Sequence, residues 1–351
     1  MLSQEVLEMS VRFVCLQILL VIAFGCTGLG PRNLPSDRTN YADAISESWK
    51  RETLLNIVKL RHGDAPVFLQ VTGVISQRST SAGTSVSANW PVGTRGIPTV
   101  SGSTSFSETP TISYRQLQGE EFFKCLMTPV PPCGVLLLAN SGWPADILFW
   151  CGVDTVNDLH NTPTAFVSST DEPADPDFAR LVEILARNQS DGVFTTRYEM
   201  RTGAPVVILT IPLSAEGRIG EDIAEIRKLA NLAPTVTEFT VVYGVTTRAN
   251  NEIAMKTRSV LGMMAFLARS VDLPAGAPSS TGCEKLLNVK TSAFEPPNAF
   301  TSVRYQGRWY YIDQDDTRSK SAMSLVMVAL SLAQSGTGIV APVVTVSAGG
   351  K

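Results

Sequence analysis

The chain has 351 residues, of which 44% are hydrophobic and 17% are charged, and its net charge at pH 7 is −3. This composition is typical of a chain that buries a sizeable core, and it excludes wholesale disorder. The charge lacks the basic excess that attracts nucleic acid, so we expect no nucleic-acid partner. The length is enough for one large domain or two ordinary ones.

An apolar run near the N-terminus, residues 13–24, predicts an export signal. The run follows Arg12 and is too short for a transmembrane helix, which needs roughly 20 apolar residues. Two glutamates after Met1 oppose the basic flank of this signal, so Met9 is an alternative start of translation. We predict a signal peptide over residues 1–25.

The export signal ends at Cys26, in the sequence Ala23-Phe24-Gly25-Cys26, which resembles the lipobox of bacterial lipoproteins. In a lipobox, cleavage before the cysteine frees that residue for acylation. The usual lipobox has Leu in place of Ala23 and a small residue in place of Phe24, and an ordinary small-x-small cleavage site also fits. Thr27, rather than Asp, follows the cysteine, and in this the sequence resembles lipoproteins that are sorted to the outer membrane. We therefore predict an outer-membrane lipoprotein that faces the periplasm, with a soluble periplasmic protein as the alternative.

The first part of the exported chain predicts a tether followed by a long helix. Residues 26–40 are rich in Gly and Pro at their start and form the tether. Residues 41–61 form the helix, because apolar residues recur there at helical spacing. The residues of this helix that we expect to be buried are Trp49, Leu54 and Ile57. A strand follows over 66–76.

Residues 78–110 are dominated by Ser, Thr and Gly and have hardly any charge. Two segments of this stretch alternate with a period of two around a turn, which predicts an amphipathic β-hairpin over 84–108. One face of the hairpin is almost purely serine. The other face is mildly apolar and is a candidate membrane or interface surface, formed by Val86, Ala88, Trp90, Val100 and Phe106.

Helices and strands interleave along the rest of the chain. Helices are predicted over 120–127, 134–140, 144–150, 178–187, 221–232, 254–270 and 319–334. Strands are predicted over 110–114, 193–200, 205–211, 238–245, 286–290, 299–305, 308–313 and 339–347. A polar stretch over 163–177 is the predicted linker between one α+β domain at 41–162 and another at 178–351. Because hairpins are frequent, we favour an α+β fold with mixed sheets and packed helices over a doubly wound fold.

Four cysteines lie beyond the export signal and leave the question of disulfides open. In an oxidising compartment they allow three pairings, and free buried thiols are an equal alternative. These residues are Cys125, Cys133, Cys151 and Cys283. The chain has no CxxC pair and only two histidines, so we expect no metal site.

The sequence contains no recognisable catalytic motif, so we expect no catalytic residue and no cofactor. We expect His62, at a basic helix end, to cap helix carbonyls, and His160 to be solvated in a polar loop. Asp313, Asp315 and Asp316 lack the central glycine and the final glutamate of a calcium loop. We therefore expect them to form a solvated turn that caps the next helix.

Five stretches spread over most of the chain resemble a group of uncharacterised lipoproteins of Gram-negative bacteria. These stretches are Leu54–Arg61, Pro110–Tyr114, Ser141–Pro144, Thr257–Met263 and Val303–Ile312. The resemblance implies an envelope address but no activity, so it assigns no catalytic residue. The imperfect lipobox at Cys26 is where this chain departs from the group.

Two functions are consistent with these features. The first is a membrane-anchored, non-enzymatic envelope lipoprotein that serves as an assembly or binding module, with other envelope proteins or further copies of itself as partners. The alternative is an oligomeric outer-membrane pore or export channel, in which each subunit contributes the 84–108 hairpin to a shared β-barrel. Barrel strands need about 9–11 residues of alternating character, which the hairpin provides. A hydrolase with a site of scattered residues is a third and weaker hypothesis.

Overall fold

The computed structural model describes residues 34–87, 99–116, 119–163, 173–191, 194–201, 204–272 and 286–335. These residues contain eight helices and eleven strands, which confirms the predicted mixed α+β class. The chain divides into two compact units, Met1–Trp49 and Lys50–Lys351. The second unit, called the body here, contains all of the strands.

The helices and strands are numbered in chain order. The helices are α1 (Leu34–Arg61), α2 (Glu120–Met127), α3 (Pro132–Asn140), α4 (Ala145–Gly152), α5 (Pro176–Arg187), α6 (Gly217–Leu229), α7 (Val260–Ala268) and α8 (Thr317–Ser335). The strands are β1 (Leu69–Ser87), β2 (Thr99–Gln116), β3 (Val153–Val156), β4 (Leu159–His160), β5 (Thr195–Arg201), β6 (Ala204–Thr210), β7 (Glu238–Tyr243), β8 (Glu252–Thr257), β9 (Lys290–Ser292), β10 (Ala299–Tyr305) and β11 (Arg308–Asp313).

Helix α1 contributes the core residues that its sequence pattern predicts. Leu54 and Ile57 are 0% exposed, as expected, whereas Trp49 is only half-buried. Buried Asn56 fixes the chain beyond the helix, because its side chain donates to Val67 O at 2.7 Å and accepts from Val67 N at 2.9 Å. An amide side chain thus satisfies a backbone donor and acceptor just before β1.

The largest sheet has six strands in the order β4-β3-β8-β7-β6-β5. β7 and β8 pair in parallel, and the other neighbours are antiparallel. β3 and β4 precede the predicted linker at 163–177, and the other four strands follow it. The predicted linker therefore does not divide this sheet, and the body extends across it.

The predicted helix over 254–270 is wrong in its first part. Glu252–Thr257 is β8, which lies between β3 and β7, and the helix begins only at Val260. Ser259 sets this start, because its Oγ accepts a hydrogen bond from Gly262 N at 3.1 Å. The chain therefore enters α7 from a central strand.

A three-stranded antiparallel sheet in the order β10-β11-β9 precedes α8. The predicted hairpin of 299–305 and 308–313 is confirmed in both bounds. Its turn residues Gln306 and Gly307 have φ of 46° and 80°, as a two-residue hairpin turn requires. The strand predicted over 339–347 lies outside the described residues.

β1 and β2 pair antiparallel into a two-stranded ribbon. They have 19 and 18 residues, which corresponds to a length of about 60 Å at roughly 3.3 Å per residue. The strands predicted at 66–76 and 110–114 pair with each other at the base of the ribbon, and the predicted hairpin over 84–108 is described only at 84–87 and 99–108. The connection over 88–98 lies outside the described residues.

Strand β5 forms one edge of the six-stranded sheet and carries charged residues at alternate positions. Arg197 donates to Glu199 at 3.0 Å, and Arg201 donates to the same carboxylate at 2.9 Å. Arg197 also reaches Glu238 on β7 at 3.3 Å. Ion pairs therefore line this edge strand.

Within the described ranges, no helix has both the length and the apolar character needed to cross a bilayer.

Candidate functional site

The ribbon contains most of the residues that the sequence singles out. In its register Val86 lies opposite Val100 and Phe106 opposite Thr80, so these four residues occupy positions of one face of the ladder. Ser81 pairs with Ser105 and Ser85 with Ser101, which places serine positions together on the other face. Ala88, Trp90 and the lipidation candidate Cys26 lie outside the described residues.

Neither strand of the ribbon has a second partner among the strands that the structure describes. Each outer edge of a two-stranded ladder therefore presents a row of backbone N–H and C=O groups that the ladder itself does not pair. Two-stranded ribbons are marginally stable alone in water. We therefore expect a ribbon of this length to gain stability from contacts beyond its own two strands.

A large cavity lies inside the body, between the six-stranded sheet and helices α3, α4, α5 and α6. Its volume is about 630 Å³, within the range of roughly 300–1,000 Å³ that is typical of ligand pockets. Its walls are apolar side chains from all four helices and from the sheet, among them Leu136, Phe149, Leu181, Ile226 and Met255.

Polar side chains without formal charge surround one end of this cavity, and hydrogen bonds hold them in place. Gln189 donates to Ala139 O at 3.0 Å and to Trp143 O at 2.6 Å, and it accepts from Ala145 N at 2.9 Å. Asn140 donates to the hydroxyl of Thr196. These bonds connect the end of α5, the α3–α4 turn and β5, so this rim of the cavity is built from fixed groups.

Arg258 closes the C-terminal end of α4 from inside the body. Its side chain is 2% exposed and donates to Trp150 O at 2.6 Å, to Thr162 O at 2.6 Å and to Cys151 O at 3.3 Å. Its guanidinium carbon lies 4.5 Å from the centre of the Phe266 ring. The last carbonyls of a helix lack partners within the helix, and a cation is favourable there.

Asn161 supports the same helix end. It is 3% exposed, and its amide nitrogen donates to Val153 O at 2.7 Å, Trp150 O at 3.0 Å and Phe149 O at 3.3 Å. The backbone N–H of Arg258 donates to Gly152 O at 2.8 Å. The last four carbonyls of α4 therefore all receive hydrogen bonds. Neither Arg258 nor Asn161 was predicted, because nothing in their local sequence shows which helix end they reach.

A network of ions joins α5 to α6. Asp222 is 3% exposed and accepts from Asn188 at 2.8 Å, from Arg218 at 3.1 Å and from Arg187. Burial by itself raises the pKa of Asp222, but the hydrogen bonds from Asn188 and Arg187 outweigh burial, and the pKa is lowered. Arg180 on α5 also holds Glu225 on α6 through two bonds of 2.7 and 2.8 Å. The network fixes the helix pair that covers the cavity.

The two cysteines whose side chains are described are both free thiols, Cys133 and Cys151. Burial raises the pKa of Cys151 to about 12, so this thiol stays protonated at neutral pH. Neither residue forms a disulfide in this structure. Cys283 and the side chain of Cys125 lie outside the described residues.

The expectation that His62 caps helix carbonyls is wrong. Its Nε2 instead lies 2.9 Å from the hydroxyl oxygen of Tyr310, and its ring lies 5.2 Å from the ring of Tyr305. Burial lowers the pKa of His62. The residue therefore connects the end of α1 to the β10–β11 hairpin.

The aspartates around 313–316 make the turn contacts expected of them. Asp316 accepts from Ser319 N at 3.0 Å and from Ser319 Oγ at 2.7 Å, which caps the start of α8. Asp313 pairs with Lys290. Among the residues that the structure describes, no cluster of three or more His, Cys, Asp or Glu side chains has the arrangement of a metal site.

Comparison of the chain with protein-family models, with curated proteins and with solved structures gave no match.

Proposed function

We propose that the protein is a non-enzymatic, lipid-anchored module of the bacterial cell envelope that assembles with further copies of itself through the β1–β2 ribbon. The export signal and the lipobox-like sequence at Cys26 support the address. The ribbon supports the mode of assembly and is the observation on which the proposal depends.

The open backbone edges of the ribbon are the feature that favours assembly. Its strands of 19 and 18 residues pair only with each other among the described strands. Edge-to-edge addition satisfies open backbone groups without requiring a particular side chain. A second copy of the chain offers the same edges at the same length, so further ribbons extend the sheet in register.

The strand register indicates where the ribbon can be shortened while the remaining residues keep their pairing. Gln77 lies opposite Thr109, so an Asn-Gly turn in place of residues 78–108 closes a short hairpin. Ser85 lies opposite Ser101, so the same turn in place of residues 86–100 makes a matched, milder deletion.

We expect the full chain to be oligomeric in mild detergent and the variant that lacks 78–108 to be monomeric by light scattering. The variant that lacks 86–100 should assemble more weakly than the full chain. The melting temperature of the rest of the body should stay unchanged in both variants, because the ribbon pairs with neither of the other sheets. A monomeric full chain, or an oligomer that survives loss of 78–108, would contradict the proposal.

A shared β-barrel pore is a second candidate, favoured by the length of the ribbon. Each strand exceeds the roughly 9–11 residues that a tilted transmembrane strand needs. Val100 and Ser101 are adjacent and occupy opposite faces of the ladder, so they form a matched pair for substitution.

If the ribbon inserts, Val100→Arg should reduce conductance in planar bilayers, since Arg on the lipid face costs up to about 2–4 kcal/mol per subunit at the midplane and less near an interface. Ser101→Arg should leave insertion intact and change the conductance. Equal effects of the two substitutions, or no conductance from the oligomer of the full chain, would exclude the pore and leave the anchored assembly module.

A further inference from the structure

We propose that the 630 Å³ cavity of the body binds one uncharged alkyl or acyl chain. The site is independent of the ribbon, and it is a ligand site in addition to the assembly function proposed above.

The strand register places the sheet residues that line the cavity, called its floor here, on one face of the six-stranded sheet. They lie on both sides of β7, which itself contributes none of the described lining residues. Val156 lies opposite Met255, and Thr196 lies opposite Leu209. Ile253, two residues before Met255, shares its face. These five residues line the cavity and come from β3, β8, β6 and β5.

The extent of this floor makes the cavity long and narrow. From β5 to β3 the sheet crosses four interstrand spacings of about 4.8 Å, which gives a floor of about 19 Å. A volume of 630 Å³ over that length leaves a mean cross-section of about 33 Å². Such a shape fits an extended hydrocarbon chain better than a bulky ring system.

The chemistry of the walls selects an uncharged ligand. Among the described residues that line the cavity there is no Asp, Glu, Lys, Arg or His. Buried Arg227 lies beside the wall, because it donates to the carbonyl of the lining residue Ile211, but it also donates to Val236 O at 2.8 Å and to Ala233 O. Arg187, Arg218 and Asp222 hydrogen-bond one another or Asn188 at the helix pair above. A charged group inside the cavity would therefore lose its hydration without gaining an ion pair.

Apolar cavities bind apolar molecules in preference to water. An apolar cavity of about 150 Å³ stays dry and takes up benzene, and the present volume is roughly four times larger. The amide of Asn140 and the hydroxyl groups of Ser190 and Thr196 line the polar end, where both N–H groups of Gln189 already donate to Ala139 O and Trp143 O. They suit the hydroxyl or ester group at the end of a hydrocarbon chain.

The experiment labels the full chain with a diazirine-bearing hexadecanol in micelles of digitonin, a ring-based detergent without an alkyl chain that would compete for the cavity. The cross-links are mapped by peptide mass spectrometry. We expect label on wall residues such as Phe194 and Met255. Two substitutions, Ala139→Trp and Leu185→Trp, introduce a large ring from different walls of the cavity. Each should reduce cavity labelling about tenfold or more, because apolar pockets discriminate by about tenfold or more even for a single methylene group.

Leu137→Trp is the matched control, because Leu137 lies on the same helix as Ala139 and is 54% exposed. It should leave cavity labelling unchanged. Melting curves of all variants check that each is folded. Cavity labelling that is equal in all variants, or labelling confined to residues outside the cavity, would overturn the proposal.

A second probe tests whether the bound hydrocarbon chain belongs to a membrane lipid or to a free single-chain molecule. It is a phosphatidylglycerol with the diazirine in one acyl chain. Cavity labelling by both probes identifies a membrane lipid as a ligand whose head group stays at the polar rim. Labelling by the alcohol alone identifies a free single-chain ligand, and labelling by neither overturns the proposal.

Discussion

Replacing Arg258 by methionine should destabilise the body far more than removing an exposed arginine. The guanidinium donates to three carbonyls, of Trp150, Cys151 and Thr162, and its side chain is 2% exposed. In the variant, Trp150 O keeps the hydrogen bond from Asn161, but the other two carbonyls lose a donor.

The magnitude follows from those two carbonyls. Leaving a buried acceptor without its partner costs about 1–3 kcal/mol, so the two together cost about 2–6 kcal/mol. Methionine recovers part of this loss, because replacing a buried charge by apolar volume removes a desolvation cost. We therefore expect the free energy of unfolding to fall by about 2–4 kcal/mol. At roughly 2 °C per kcal/mol for a unit of this size, the melting temperature should fall by about 4–8 °C.

The assay is thermal unfolding of the full chain, followed by circular dichroism and calorimetry. Arg258→Lys keeps the charge but not the planar fork of donors, so its melting temperature should lie between those of wild type and Arg258→Met. Arg304 lies on β10 and is exposed, so Arg304→Met should change the stability by less than about 0.5 kcal/mol. The reasoning fails if Arg258→Met melts within 1 °C of Arg304→Met, at the scale expected of a surface substitution.

Three further predictions concern titration, thiol reactivity and the anchor. Because the pKa of Asp222 is lowered, its carboxylate stabilises the fold above the unfolded pKa near 4, and the gain is lost as the pH falls through the lower folded value. The gap in melting temperature between wild type and Asp222→Asn should thus be wide at pH 7 and narrow below pH 4, and a gap independent of pH would refute this. Iodoacetamide should alkylate half-buried Cys133 in the native protein at pH 8 and Cys151 only after denaturation, so early modification of Cys151 would contradict its burial. Cys26→Ala should abolish palmitate labelling in cells, and undiminished labelling would disprove the lipobox interpretation.

Local patterns were sufficient to predict the amphipathic helices and the hairpins. α5 and α1 bury one stripe each, and that stripe appears in the sequence at helical spacing. The two strands of the β10–β11 hairpin are joined by Gln306 and Gly307, which both have positive φ. In α5 one face meets the core and the other meets solvent, so its sequence repeats in step with the structure. Strand β10 is instead buried at three consecutive positions, 301–303, and its turn is the local signal that predicts it.

The strand that was predicted as part of a helix is buried on both of its faces. β8 has a run of buried residues, Ile253, Ala254 and Met255, which point alternately to the two faces of the sheet. A short apolar run of this kind has no period that separates a strand from a buried helix. The following helix α7 is equally apolar, so the two merged into one predicted helix over 254–270.

The cavity and the cap on α4 were not predicted for a different reason. The cavity is lined by residues between Leu136 and Met255, and each of them also fits an ordinary core. Arg258 lies next to the start of α7, but its partners lie about 100 residues away in the chain. Only the fold brings such groups together.

The charged edge of the six-stranded sheet affects how the chain behaves before it has folded. Alternating Arg197, Glu199 and Arg201 make it costly for a foreign strand to add to β5, since the strand would have to strip water from these ions. The ribbon carries hardly any charge between Gln77 and Pro110, so it lacks this protection. Uncontrolled aggregation during synthesis should therefore start at the ribbon, and the ribbon is the segment that a chaperone would have to shield.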